Sequence, residues 1–445
     1  MKVSGVRVEG DALGAVEVPL SALYGAHTVR ALENGLSSGP RLGECVDFLR
    51  AFAHVKAAAA RANADLGVLD REVAQAIVVA ADEIVGGLWL DEFPLPLVQG
   101  GGGTATNLAV SEVLANRAAQ ILGSEPGRYD LVHPFDHVNR SQSTNDVYPT
   151  ALQLAVIDLS ERASGALADV AGTLDALAEA AGDLQRLGRT CLNDALPVPV
   201  AGYHAAQAAA VRRTAKAIDE AAEALTAVPL GATAVGTGVG APEGYRERAV
   251  AKLSERTGRE LRSAGDLFDA LAHLDPLLVV ANAVGTAAIA LAKIASDLRL
   301  LSSGPVGGIG EVTLPAVQVG SSIMPGKVNP VVPELVIQAS FEIRGSASIV
   351  ESAVAAGELD LNVMGPVIGR QLFQALTTLE EVAQAFATRC LAGLRWNQAT
   401  VADHLKGSLQ TDVERAVLVG HDLVDAEIAR RVRSDLAPAE EADHQ

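Results

Sequence analysis

The sequence predicts an all-α protein built around a bundle of long helices. Three observations carry that prediction. Apolar residues make up 49% of the chain but aromatic residues only 3%. The apolar mass is therefore Ala, Leu and Val, which favours closely packed helices over a β-sandwich. Thr150 to Leu187 holds one helical pattern without a proline, far longer than an average helix. Pro276 to Ala292 carries no charge at all. That stretch imitates a membrane span, but it is short for one and is interrupted by Asn282, Gly285 and Thr286, so it is expected to be a core helix of the bundle.

The elements follow in order. The first forty residues mix short β-like runs, VRVE and VEVP, with turns. Helical periodicity begins near Val46 and runs to Gly86. The run QGGGGT, Gln99 to Thr104, ends it. A second helix is expected from Asn107 to Leu122. A polar loop, HPFDHVNRSQSTND, covers His133 to Asp146. After the long helix, Gly188 to Pro199 is expected to be a loop. Another helix follows from Gly202 to about Ala227, then a Gly-rich crossover from Leu230 to Tyr245. Helical periodicity returns at Tyr245 and again from Gly265 to Leu301. Helices are expected at Val332 to Ala356 and Pro366 to Leu394. The tail after Asn397 is a small helical unit ending in the acidic, expectedly disordered DLAPAEEADHQ. The implied domains are 1–140, mostly helical; 141–397, the long-helix bundle; and 398–445, small and helical.

Composition narrows the partners. A net charge of −19 argues against nucleic acid, which needs clustered Lys and Arg. An acidic protein that takes an acidic ligand needs a local positive site, so Lys and Arg in polar loops gain interest. Cys45, Cys191 and Cys390 form no CxxC and no His/Cys cluster, so neither a zinc site nor a disulfide framework is indicated. A reducing cytoplasm is the simplest setting. The opening MKVSGVRVEGDALG has no apolar signal core. No membrane and no nucleic acid is expected as a partner.

Gly320 to Pro330 reads GSSIMPGKVNP. Glycine and proline at this density build a shaped, mobile loop. Such a loop can gather Ser321, Ser322, Lys327 and Asn329 around one small anion. The plainer alternative is a surface turn that happens to hold a Ser pair and a Lys.

Five stretches, taken in order, decide between them. They are VEGDALGAVEVPLSALYGAHTVRALEN, FPLPLVQGGGGTATNLAVSEVLANRA, HPFDHVNRSQSTNDVYPT, GRTCLNDALPVPV and SSGPVGGIGEVTLPAVQVGSSIMPGKVNPVVPE. Each resembles the corresponding region of the aspartase/fumarase superfamily, in its class II fumarase/aspartase branch. The STN of Ser143 to Asn145 and the LDLNVMGPVIG of Leu359 to Gly369 look closer to the aspartase version. The resemblance implies a three-domain fold whose central helices form a twenty-helix core in a homotetramer. It implies active sites shared between three subunits, a small dicarboxylate substrate, no cofactor and no metal. Bundles of long helices suit this, since loops of different subunits can meet at the bundle ends.

The reaction implied is an anti elimination beta to a carboxylate, giving fumarate through an aci-carboxylate intermediate. The expected leaving group is ammonia, from L-aspartate. A modified or N-substituted aspartate or succinate is the alternative, then fumarate hydration. A non-catalytic structural homologue would be expected to lose Ser321 or Lys327, and both are present. The intermediate is a dianion that preorganised donors must stabilise, each worth about 3 kcal/mol. By the resemblance, Thr104, Ser143, Thr144 and Ser322 are such donors. Helix capping by Thr104 and Ser143 is the plainer reading, and the two are compatible because a helix N-terminus is itself an anion site. Ser321 matches the family's catalytic base, with Lys327 and Asn329 taking the second carboxylate. A free serine is too weakly acidic to act unaided, so its alkoxide needs nearby donors and charge. Asn145 and Thr190 would hold the amino group. Glu334 is expected to orient or cap, and Arg30 is a candidate carboxylate contact.

Departures from the family pattern matter as much. Cys191 stands where many members have a histidine, which in fumarases serves the leaving hydroxide. General acid help of that kind is worth about 100- to 10,000-fold. An ammonium already carries its proton, so the missing histidine favours C–N over C–O cleavage. The alternative for Cys191 is a buried apolar filler. Gly102, Val306 and Gly365 replace the family's Ser or Ala, Arg and Glu. Ala109 and Ser111 replace two asparagines. Smaller side chains near a site would make room for a larger substrate. Phe135 replaces a polar residue beside His133 and Asp136, so a secondary anion site of fumarases is expected to be lost or altered.

Overall fold

The computed structural model describes residues 5–34 and 39–435. The end of the acidic tail lies outside the described residues. The chain is all-α, with only short strands. It opens on the hairpin β1 (Val6–Asp11) and β2 (Gly14–Pro19), followed by α1 (Ala26–Asn34), α2 (Val46–Asp65), α3 (Arg71–Val85) and α4 (Thr104–Ile121). The long helix α5 (Thr144–Ala181) leads into a second hairpin, β3 (Gln185–Thr190) and β4 (Asn193–Pro199). Then come α6 (Val200–Glu223), β5 (Ala227–Val228), α7 (Tyr245–Thr257), β6 (Arg262–Ser263), α8 (Leu267–Ala272) and α9 (Asp275–Leu301). The chain continues with β7 (Val312–Thr313), α10 (Val331–Val354), α11 (Gly365–Arg389), β8 (Arg395–Trp396), α12 (Gln398–Leu405), α13 (Gln410–Val419) and α14 (His421–Asp435).

Local chemistry explains where expected helices split. The run from Val46 to Gly86 becomes α2 and α3, because Gly67 turns left-handed and Asp70 caps α3 by accepting from the Glu72 and Val73 amides. The run from Gly265 to Leu301 becomes α8 and α9. Pro276 disfavours helical backbone in the residue before it, so a new helix starts there. The long helix starts six residues earlier than its pattern suggested and takes Pro149 inside. Pro149 has no N–H to give the Asn145 carbonyl, one turn back. The expected loop from Gly188 to Pro199 is a hairpin instead. Its alternation is masked by Pro197 and Pro199 and by a bulge between Leu187 and Arg189.

Two compact units result. The first comprises Met1–Ala168, Val211–Ala292 and Leu335–Gln384. In it α2 packs on α3 and α7, and α3 packs on α4. Alanine along α2 lets these helices approach, and its apolar face is wholly buried. Phe48, Phe52 and Tyr148 form an edge-on aromatic cluster with centroids 5.3 to 5.9 Å apart. The second unit comprises Asp169–Ala210, Lys293–Glu334 and Ala385–Gln445. In it β7 pairs with β8, α12 packs on β3, and α13 packs on α14. Asn397 ties this unit together: its amide N–H donates to Glu311, its Nδ2 to Gly310, and its Oδ1 accepts from Thr313.

The apolar helix α9 is long enough and hydrophobic enough to cross a membrane, and half of its most apolar window is buried. Its remaining face repeats at helical spacing through Val279, Asn282, Thr286 and Ile289, all exposed in the single chain.

Candidate active site

The expected site residues divide between the two units. Thr104, Ser143, Thr144 and Asn145 belong to the first; Thr190, Cys191, Ser321, Ser322, Lys327, Asn329 and Glu334 belong to the second.

In the first unit, Thr104 opens α4 and is exposed. Its hydroxyl donates to the Gly101 carbonyl at 2.8 Å. No side chain caps this helix, and the Thr104 amide donates to the Gly101 carbonyl at 3.1 Å. The residue before it must be glycine: Gly103 sits at φ +91°, and a Cβ there would lie 2.1 Å from the Tyr148 ring. Tyr148 is thus the floor on which the QGGGGT turn rests. One turn into α4, the buried Asn107 donates from Nδ2 to the Thr144 hydroxyl at 3.0 Å and to Asn139 Oδ1 at 3.2 Å. The first two motifs therefore meet through Asn107. Asn139 Oδ1 also accepts from Lys56 Nζ at 2.7 Å. Lys56 is fully buried, and burial pushes its ammonium down to about 7.

The STN stretch caps and anchors at once. Ser143 Oγ accepts from the Asn145 amide at 3.2 Å, the N-cap contact of α5. Asn145 donates its Nδ2 to the Ala234 carbonyl at 2.7 Å, which leaves its Oδ1 as the acceptor on offer. Asp146 is fully buried and accepts from the amides of Ser143, Gly231 and Thr233. Burial still outweighs those three donors and pushes its carboxyl up to about 6. Through Asn145 and Asp146 the Gly-rich crossover is clamped to the start of α5.

In the second unit, the GSSIMPGKVNP loop closes on itself. The Gly320 amide donates to the Lys327 carbonyl at 2.9 Å, and Asn329 Nδ2 donates to the Gly320 carbonyl at 2.8 Å. A side chain at position 320 would meet the Asn329 amide and the Lys327 carbonyl at 2.7 Å, so the closure needs glycine. Ser321 Oγ accepts from the Ile323 and Met324 amides, at 3.2 and 2.9 Å. Two backbone donors on one hydroxyl oxygen stabilise negative charge there. Ser322 and Lys327 are exposed in the single chain. Lys327 and Asn329 edge a cavity of about 350 Å³ that Thr313 and Asn397 also line. Glu334 lies in the first turn of α10, 3.4 Å from Arg299.

Thr190 ends β3, paired across the turn with Asn193. The two residues between them, Cys191 and Leu192, have φ of 53° and 61°. Both are left-handed, as a type I′ turn requires, although neither is the usual Asn or Gly. Cys191 is exposed, which corrects the buried-filler reading. The hairpin is braced next to its turn by an ion cluster. Arg189 donates to both oxygens of the fully buried Glu311, and His404 Nδ1 lies 2.7 Å from the same carboxylate.

The N-terminal candidates have partners of their own. Arg30 forms a two-pronged pair with Asp11 at 2.6 and 2.9 Å, which holds α1 to the first hairpin. His27 bonds the buried Glu112, and that contact raises its pKa. Phe135 packs edge-on against His27 and His133, while His133 Nδ1 accepts backbone amides. Ala109 and Ser111 are fully buried, and Ser111 bonds back to the Asn107 carbonyl, so neither opens space at a site.

Sequence reasoning missed Lys56, Asn139, Arg189, Glu311 and His404. For Lys56 a signal was available. It stands four residues after Phe52 and seven before Asn63, on the apolar stripe of α2. Among the described residues no group of His, Cys, Asp and Glu is arranged to hold a metal ion.

A family model described as lyase matches residues 14–345. The chain belongs to this lyase family, the aspartase/fumarase superfamily. It is 41% identical to an aspartate ammonia-lyase of Corynebacterium glutamicum, over 96% of this chain and 82% of that one. It is 40% identical to a class II fumarate hydratase of Thermosynechococcus vestitus, over 98% of this chain and 93% of that one. A solved fumarate lyase:delta crystallin from Brucella melitensis superimposes with a TM-score of 0.93 at 38% identity, covering 97% and 94% of the two chains.

Proposed function

We propose that this lyase eliminates ammonia from L-aspartate to give fumarate. The observation that carries the choice is Cys191, exposed at the hairpin tip where a fumarase would be expected to place histidine. Ser321, its oxygen already held by two amides, removes a proton from the methylene carbon next to the amino-bearing carbon. The electron pair moves into the adjacent carboxylate, giving the aci-carboxylate. Thr104, Ser143, Thr144 and Ser322 bind carboxylate oxygens, and Lys327 and Asn329 hold the second carboxylate. Collapse of the dianion expels the amino group, which leaves as neutral ammonia with the C–N bonding pair. Asn145 offers Oδ1 to the ammonium, because its Nδ2 is committed to Ala234.

The site is completed in a homotetramer, by loops of three subunits. Support comes from apolar residues on long helices that a lone chain leaves open: Val279 and Ile289 on α9, and Leu335, Phe341 and Ile349 on α10. A second reading, a C–N lyase on an N-substituted aspartate, rests on Val306. That valine is 96% exposed where the family places arginine.

The test follows fumarate by its ultraviolet absorbance. Fumarate should disappear with ammonium and form from aspartate, and malate should give no comparable rate. Ser321→Ala should abolish turnover and leave thermal melting unchanged. Turnover only with a larger amine would select the second reading. Comparable rates with malate would remove the first.

A further inference from the structure

The chain of side chains behind Thr144 has a direction, and its source is the buried lysine. Lys56 Nζ offers hydrogens whether or not it is protonated, so the Asn139 atom 2.7 Å from it is the amide oxygen. The other end of that amide, Nδ2, donates to the Gln142 carbonyl at 3.2 Å, which fixes the same orientation independently. The Asn107 atom 3.2 Å from Asn139 Oδ1 must then be nitrogen. An oxygen in its place would face an oxygen. Asn107 is left with a buried Oδ1 that has no partner, a cost a free amide would relieve by flipping. Its second hydrogen points at the Thr144 hydroxyl oxygen, 3.0 Å away. Thr144 is half-buried, and among the described residues its own hydroxyl hydrogen meets no acceptor.

We infer that Asn107 is a positioning residue: pinned by Asn139 and Lys56, it makes the Thr144 hydroxyl donate outward, to a substrate carboxylate. Four segments set this polarity: α2, the turn after Val138, α4 and the start of α5. A hydroxyl free to rotate would spend part of its time pointing inward and lose part of its value to an anion. The inference rests on Thr144 being a carboxylate ligand.

The test measures succinate binding by calorimetry, and aspartate kinetics, on the full chain. The variants are Asn107→Leu, Thr144→Ala and the two combined. Thr144→Ala should weaken succinate about 10- to 100-fold, the worth of a hydrogen bond to a charged group, and Asn107→Leu should lose a measurable part of that. The double variant should be no worse than the weaker single, because both remove one interaction. The loss in kcat/KM should fall on KM. Losses that multiply, or Asn107→Leu binding succinate like the wild type, overturn the inference. If Asn107→Leu does not fold, Asn107→Asp replaces it. Its carboxylate, one side chain removed from Lys56, accepts from Thr144 and turns the hydroxyl inward, and the same non-multiplying loss is expected. A folded wild type that binds no succinate and turns over no aspartate sinks the underlying reading instead.

Discussion

Cys191 shows what one residue can decide. The leaving hydroxide of a hydratase needs a proton delivered to it, and among the described residues no side chain bonds the exposed Cys191 thiol. An ammonium needs no such help. Cys191→Ser is therefore expected to keep the ammonia-forming rate within about tenfold, short of the ~100-fold or greater loss that follows removal of a general acid. Steady-state rates with aspartate check this, and a larger drop would give the thiol a part in the chemistry. The loop residues proposed for the site stand out in the sequence for a related reason. Ser321, Lys327 and Asn329 sit close together in a short stretch with little structural purpose of its own, so their chemistry stands out. Asn107 and Lys56 sit inside regular helices, where a polar residue looks like any other until its neighbours are known.

At the scale of elements, α2 carries a pH response. His54 is held largely among α2, α3 and α7, and burial, with Arg256 and Arg50 nearby, pushes its pKa down to about 4. Asp82 opposes that shift. The unfolded chain binds a proton near the ordinary value of 6.5, and the folded chain resists it until about 4. Stability from this group is therefore complete above pH 6.5 and is lost as pH falls toward 4, because the unfolded state binds more protons across that window. His54→Phe should flatten the fall, by less than one proton's worth, under about 1.4 kcal/mol per pH unit. Urea unfolding at a series of pH values checks it; an unchanged slope would show that His54 titrates normally. The hairpin β3–β4 teaches a different lesson. Its two-residue turn of Cys and Leu carries no turn signal, and its prolines hide the alternation, so it read as a loop. Pairing with the rest of the strand overrides local preference.

For the whole molecule, the proposed sharing of the site predicts complementation. At aspartate well below the wild-type KM, Ser321→Ala should be inactive as a homotetramer and Thr144→Ala about 10- to 100-fold slower than the wild type. Unfolding and refolding the two together should restore activity, because some sites then collect an intact Ser321 and an intact Thr144 from different copies. Light scattering should report four chains. Mixed samples no more active than the parents would place each site within one subunit. The exposed face of α9 and the expected bundle core are one observation seen from two sides: a helix without charge from 276 to 292, whose most apolar window a lone chain buries only halfway.

The sequence by itself determined the helical class, the order of the loops and the residue types proposed to carry the chemistry. Those rest on periodicity and on local composition, both of which act along the chain. Only the tertiary structure decided which polar residues are buried, which amide faces which, and where an unpaired hydrogen points. A hydrogen-bond direction depends on partners far apart in the chain: Lys56, Asn107, Asn139 and Thr144 acquire theirs only when four segments pack around one buried lysine.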